Sequence, residues 1–169
     1  MLKRVVVCAV LLWAFSVQSA WAVGSTKVRF MGGTVASVPE KAEGRVDVTD
    51  PTNMVFLSDK GGTVRVPWHT VQTIEYGQRV SRRWKTAIFL TPWAVFSKGR
   101  KHMVTIGYKD GAGVDQAAVF EFGKDVYRTA LASLKVKSGK EISCQDDEAR
   151  KQFGGGCSVL APEPQEAKP

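Results

Sequence analysis

The chain has 169 residues, of which 44% are hydrophobic and 24% are charged. This balance is typical of a folded globular protein and excludes a fibrous or a wholly disordered chain. Lysine and arginine number 24 against 16 aspartate and glutamate, so the formal net charge is +8. We expect one domain with a modest hydrophobic core and a basic surface that favours anionic partners.

Residues 1–22 have the pattern of a secretory signal peptide. A basic start at Lys3 and Arg4 precedes an apolar run over 5–17, and the segment ends in the small-x-small sequence AWA. The apolar run is shorter than the roughly 20 residues that a membrane-spanning helix needs. We therefore expect cleavage after residue 22 and export to the periplasm or the medium. The alternative is a retained N-terminal anchor.

Short strand-like runs follow, separated by turns rich in glycine, proline and aspartate. The runs cover 28–38, 44–48, 54–57, 63–66, 71–76, 102–109 and 115–122. Their spacing predicts a mainly β fold in which neighbouring strands pair. The last two runs form the clearest hairpin, because the DGAG sequence at 110–113 is a turn signal and Ala118, Phe120 and Phe122 share one face.

The hydrophobic period then changes from two to 3.6. An apolar stripe at helical spacing is formed by Val126, Tyr127, Ala130, Leu131 and Leu134. Asp125 lies at its beginning and Lys135 and Lys137 at its end, where the helix dipole favours these charges. The pattern predicts one helix of about four turns after the strands.

The C-terminal residues 143–169 contain three consecutive glycines and three prolines, and we expect a flexible tail there. Cys144 and Cys157 lie in this stretch, and an oxidising compartment would allow them to form a disulfide. The alternative is two free or intermolecular thiols, since the sequence does not give the distance between their Cα atoms.

Three stretches carry a resemblance to a known fold: residues 66–76 (VPWHTVQTIEY), residues 102–109, and the GKD at 123–125 that opens the helix. Together they resemble bacterial pleckstrin-homology-like (PH-like) domains of exported proteins. The resemblance implies that residues 23–142 form a small open antiparallel barrel of six to seven strands, capped by one C-terminal α-helix. Barrels of this kind are binding platforms for lipids, peptides and proteins, without a shared active site. Inositide recognition is not implied, because the first hairpin offers only Arg29 and Lys41.

A basic-apolar-basic insert, residues 79–102, interrupts the domain. Its centre is twelve uncharged residues, 86–97 (TAIFLTPWAVFS), with cations on both sides. A helix of this length reaches about 18 Å, too short to cross a hydrocarbon core of about 30 Å. Aromatic residues between cations are typical of an interfacial membrane contact. The candidate contact residues are Arg79, Arg82, Arg83, Trp84, Phe89, Trp93, Phe96, Lys98, Arg100 and Lys101.

Two other interpretations of the insert stay open. It can pack against the barrel, since burial of each Phe or Trp side chain contributes about 1.5 to 3 kcal/mol. It can also form a surface for another protein or for a second copy of the chain.

Enzyme signatures are absent from the sequence. It contains no HExxH, no CxxC and no GxSxG pattern, and its only histidines are His69 and His102. We therefore expect no catalytic residue, no metal site and no cofactor. Nucleic-acid binding through Arg82, Arg83, Arg100 and Lys101 is disfavoured by the expected export.

The sequence thus predicts an exported, non-enzymatic binding or scaffolding module that contacts a membrane surface or an envelope protein through the insert. The alternatives are a carrier that holds a small ligand in the barrel mouth and, with less support, a small hydrolase. A carrier requires a continuous apolar cavity, whereas a binding platform requires a filled barrel.

Overall fold

A computed structural model describes residues 27–78 and 101–160 and shows a mainly β fold, as predicted. Nine strands form one sheet with two helices. The strands are β1 (Lys27–Gly33), β2 (Ala42–Asp47), β3 (Asn53–Ser58), β4 (Thr63–Pro67), β5 (Val71–Gly77), β6 (His102–Lys109), β7 (Asp115–Phe122), β8 (Ile142–Cys144) and β9 (Ser158–Val159). The helices are α1 (Tyr127–Ser138) and α2 (Asp147–Phe153).

The strand order is β4-β3-β2-β1-β7-β6-β5-β8-β9. Strands β1 to β7 pair antiparallel, whereas β8 lies parallel to β5 and β9 lies parallel to β8. The count is therefore nine strands, against the six to seven expected. The two extra strands have three and two residues, which is too short for an alternating pattern to be visible in sequence.

One face of the sheet, the core face, carries the hydrophobic core. Phe30, Phe56 and Phe120 lie at its centre, with ring centroids 5.5 to 6.1 Å apart. Helix α1 packs on this face through the predicted stripe, of which Leu131 and Leu134 are completely buried. Large aromatic side chains from three strands thus fill the middle of the core face.

Gly44 in β2 makes room for one of these rings. A Cβ atom at this position would lie 2.8 Å from Cζ of Phe56 and 2.1 Å from the carbonyl oxygen of Leu57. We expect Gly44→Ala to lower the free energy of unfolding by about 1 to 3 kcal/mol, because both the β3 backbone at Leu57 and the Phe56 ring must move. Urea unfolding measures this, with Gly111→Ala as the control, since a Cβ there meets nothing within 4 Å. Equal stability of the two variants would contradict the packing of Phe56 against Gly44.

The stretch 143–160 is folded, although a flexible tail was expected from residue 143. Ile142 and Cys144 are buried where β8 joins β5, and Asp146 caps α2 by accepting a hydrogen bond from the Ala149 amide at 2.7 Å. Cys144 and Cys157 form a disulfide with their Cα atoms 5.7 Å apart. The disulfide and the helix cap give this short unit the fixed geometry that its composition does not suggest.

Candidate functional site

The insert is attached to two neighbouring strands of the sheet. Gly77, at the end of β5, pairs with Met103, near the start of β6. The chain therefore leaves and re-enters the sheet at one end of an antiparallel pair. Nine of the ten candidate contact residues, between Arg79 and Arg100, lie outside the described residues.

Lys101 is the one candidate contact residue that the structure describes. Its Nζ atom donates to Oε2 of Glu121 at 2.6 Å, and its side chain is only 18% exposed. Glu121 also lies 3.7 Å from Arg29, whose guanidinium donates to Glu43 at 2.6 Å and lowers the pKa of that carboxyl. Lys101, just before β6, is thus part of an ion-pair chain that continues across β7, β1 and β2, and its charge is already partly compensated.

An aromatic group that we call the base cluster lies beside the root of the insert. It consists of Tyr76 from β5, His102 from β6 and Tyr127 from α1. The ring of His102 stacks on that of Tyr127, with centroids 3.7 Å apart and planes 5° apart. Tyr76 Oη and His102 Nδ1 form a hydrogen bond of 2.7 Å. The cluster therefore joins both strands that bear the insert to the helix above them.

Helix α2 contacts the base cluster through hydrogen bonds to Gln152. Tyr76 Oη donates to Oε1 of Gln152 at 3.3 Å, and Tyr127 Oη donates to the Gln152 carbonyl at 2.9 Å. Arg128 donates to the same carbonyl and to Tyr127 Oη, each at 2.9 Å. Each of these polar groups therefore has a hydrogen-bond partner, which is typical of a structural contact between secondary-structure elements.

The base cluster favours neutral side chains. Burial raises the pKa of Tyr76 above its usual value, and the contact with Tyr127 adds to this effect. Burial also lowers the pKa of His102, and the nearby cation of Arg128 lowers it further. From the sequence we expected His102 to be an ordinary strand-edge histidine. Its contacts with Tyr76 and Tyr127 could not be expected, because these residues are far apart in the sequence.

Stability should fall as the pH drops below about 6.5, the ordinary pKa of histidine. Below that pH the unfolded chain binds a proton at His102 that the folded chain resists, so protonation favours unfolding. We expect His102→Gln to lose this part of the pH dependence. Urea unfolding at pH 7 and pH 5 measures it, with His69→Gln, in an exposed turn, as the control. An unchanged pH dependence in His102→Gln would show that His102 does not contribute.

Residues 27–78 and 101–160 show few features of a metal site, a membrane span or a ligand pocket. Within these ranges no three His, Cys, Asp or Glu side chains gather as a metal site. The described helices are each too short or too polar to cross a bilayer. Two surface depressions of about 250 and 300 Å³ lie beside Glu121 and beside α2, and both are lined by mixed charges.

Comparison with protein-family models and with curated proteins finds no match to this chain.

Proposed function

We propose that the protein is an exported, non-enzymatic binding module that contacts an anionic membrane surface through the cations of its insert. The observation that carries this proposal is the attachment of the insert to the paired ends of β5 and β6. The insert, which carries cations on both sides of its apolar centre, therefore begins and ends at the same end of the sheet. Such clusters attract anionic lipid, and each Lys or Arg near the surface contributes about 1 kcal/mol.

A PH-like architecture is part of this proposal. Seven antiparallel strands followed directly by α1 support it, because this is the element order that the sequence resemblance implies. In this view β8, α2 and β9 are an addition to the barrel. The disulfide between Cys144 and Cys157 supports export, because disulfides persist in oxidising compartments.

The filled interior favours a binding module over a carrier of small ligands. Phe30, Phe56 and Phe120 pack against one another on the core face of the sheet, and none is more than 1% exposed. A carrier would need an apolar cavity in this place. Partner contact at the insert is therefore better supported than a ligand in the barrel mouth.

Sedimentation with lipid vesicles tests the membrane contact. We expect the protein to bind vesicles that contain anionic lipid, to release them as salt rises, and to ignore neutral vesicles. Arg82→Ala with Arg83→Ala should weaken binding about 30-fold, from two cations at about 1 kcal/mol each.

The matched control removes two cations that lie away from the insert. Lys109 pairs with Asp115 at 2.8 Å and Lys135 pairs with Glu141 at 2.7 Å, so their replacement by alanine should change vesicle binding little. Equal weakening in both double variants would indicate attraction by net charge alone. Absence of binding to either vesicle type would exclude the membrane and favour an envelope protein as the partner.

A further inference from the structure

The outer face of the sheet, opposite the core face, carries neighbouring cations on β1 to β4. Lys27 in β1 is the direct cross-strand partner of Arg45 in β2, and Arg45 is the direct partner of Leu57 in β3. Arg65 in β4 lies diagonally beside Leu57, because its own direct partner is Val55. Each of these residues except Val55 is exposed. We call the exposed group the basic stripe: Lys27, Arg45, Leu57 and Arg65.

The positive charge of the basic stripe is not compensated within the part of the chain that the structure describes. None of its three cations forms an ion pair with another described residue. Two carboxylates of β2 have other partners: Glu43 accepts from Arg29 at 2.6 Å, and Asp47 accepts from a backbone amide of the following loop at 2.7 Å. Like charges directly opposite each other destabilise a sheet. The opposition of Lys27 and Arg45 therefore has a cost that an anionic partner would reduce.

The basic stripe also has an apolar component. Leu57 is 45% exposed, whereas Val55, on the same face of β3, is only 7% exposed. A single exposed leucine is common on protein surfaces, but this one lies between Arg45 and Arg65. Arginine keeps its guanidinium group at the level of lipid phosphates while a neighbouring apolar side chain enters the headgroup region. The combination therefore fits the surface of an anionic bilayer.

We propose that the basic stripe is a contact surface for an anionic membrane. The inference rests on the proposed function, because it names a further part of the same contact. Gly77 pairs with Met103, which pairs with Glu121 of β7. Glu121 in turn pairs with Arg29, and Lys27 lies two residues beyond Arg29 in the direction of the attached insert. The basic stripe thus reaches the end of the sheet at which the insert begins and ends.

Vesicle sedimentation of a stripe variant, Arg45→Ala with Arg65→Ala, tests the inference. Both arginines are exposed, so the variant should fold with an unchanged Tm. We expect it to bind anionic vesicles about 30-fold more weakly than the natural chain. The control, Lys109→Ala with Lys135→Ala, removes the same net charge from lysines that already pair with carboxylates. Equal vesicle binding by the stripe variant and the control would overturn the proposal.

A polarity-sensitive fluorescent amino acid at position 57 tests the contact directly. We expect its emission to shift to shorter wavelength when anionic vesicles are added, because Leu57 then lies in the headgroup region. The same amino acid at position 136 is the matched control, since Val136 is 80% exposed on α1. An unshifted emission at position 57 in the vesicle-bound protein would overturn the proposal. A shift with soluble polyglutamate but not with vesicles would also overturn it and would indicate an acidic protein as the partner.

The proposed function and this inference fail in different ways. If the double variant at Arg82 and Arg83 binds vesicles weakly and the stripe variant binds them as the control does, the insert contacts the membrane and the basic stripe does not. If only the stripe variant binds weakly, the basic stripe is the membrane contact and the proposed role of the insert is wrong. Absence of binding to anionic vesicles would contradict both.

Discussion

Phe120→Ala is expected to lower the free energy of unfolding by about 4 kcal/mol, the largest effect of any single substitution considered for this protein. Phe120 has no exposed surface and lies in β7, near the middle of the sheet. Its ring centroid is 5.6 Å from that of Phe30 and 5.5 Å from that of Phe56. Truncation removes the side chain that both rings contact and leaves a cavity that the strands cannot close. Urea unfolding followed by circular dichroism measures the loss.

Val136→Ala is the control for Phe120→Ala. Val136 is 80% exposed on α1, so its truncation should change stability by less than about 0.5 kcal/mol. If Phe120→Ala does not fold, Phe120→Leu should fold with a smaller loss of about 1.5 kcal/mol. Equal stability of Phe120→Ala and Val136→Ala would show that the aromatic core is not packed as described.

Removal of the disulfide by Cys144→Ala with Cys157→Ala is expected to lower the free energy of unfolding by about 3 kcal/mol. The bond closes a loop of 13 residues, which limits the freedom of the unfolded chain. Both cysteines are buried in the core cluster, so their loss also weakens packing beside Tyr76. Urea unfolding gives the stability, and proteolysis between residues 145 and 156 should become faster.

Reductant provides the control for the disulfide. It should destabilise the natural chain and leave the double alanine variant unchanged, because only the natural chain has a bond to reduce. A natural chain that is equally stable with and without reductant would contradict a stabilising role for this bond.

Local patterns were sufficient to predict most of the sheet. Alternation placed Phe120 and Phe122 on the core face, and the helical period placed Leu131 and Leu134 on α1. The two-sided burial of β6 and β7 was missed, although a signal was present. Their sequences MVTIGY and AAVFEF are nearly continuous apolar runs, which is typical of strands covered on both faces.

The C-terminal unit and the base cluster were harder to predict for different reasons. Strands β8 and β9 are too short for a pattern, but Asp146 and Gly154 were available as cap signals for α2. The base cluster depends on contacts among Tyr76, His102, Tyr127 and Gln152, which come from four elements. Such contacts arise from tertiary packing, so propensity and periodicity carry no information about them.

The central position of β1 has a consequence for the order of folding. Strand β1 lies between β2 and β7, and its neighbour Thr34 binds Ala117, 83 residues later in the chain. The meander β1 to β4 contains only local pairings and can form first, whereas closure against β7 has to wait for a distant segment. During that interval β1 is an edge strand, because it is paired with β2 on one side only. A nascent chain in this state is open to pairing with another copy until β7 reaches it.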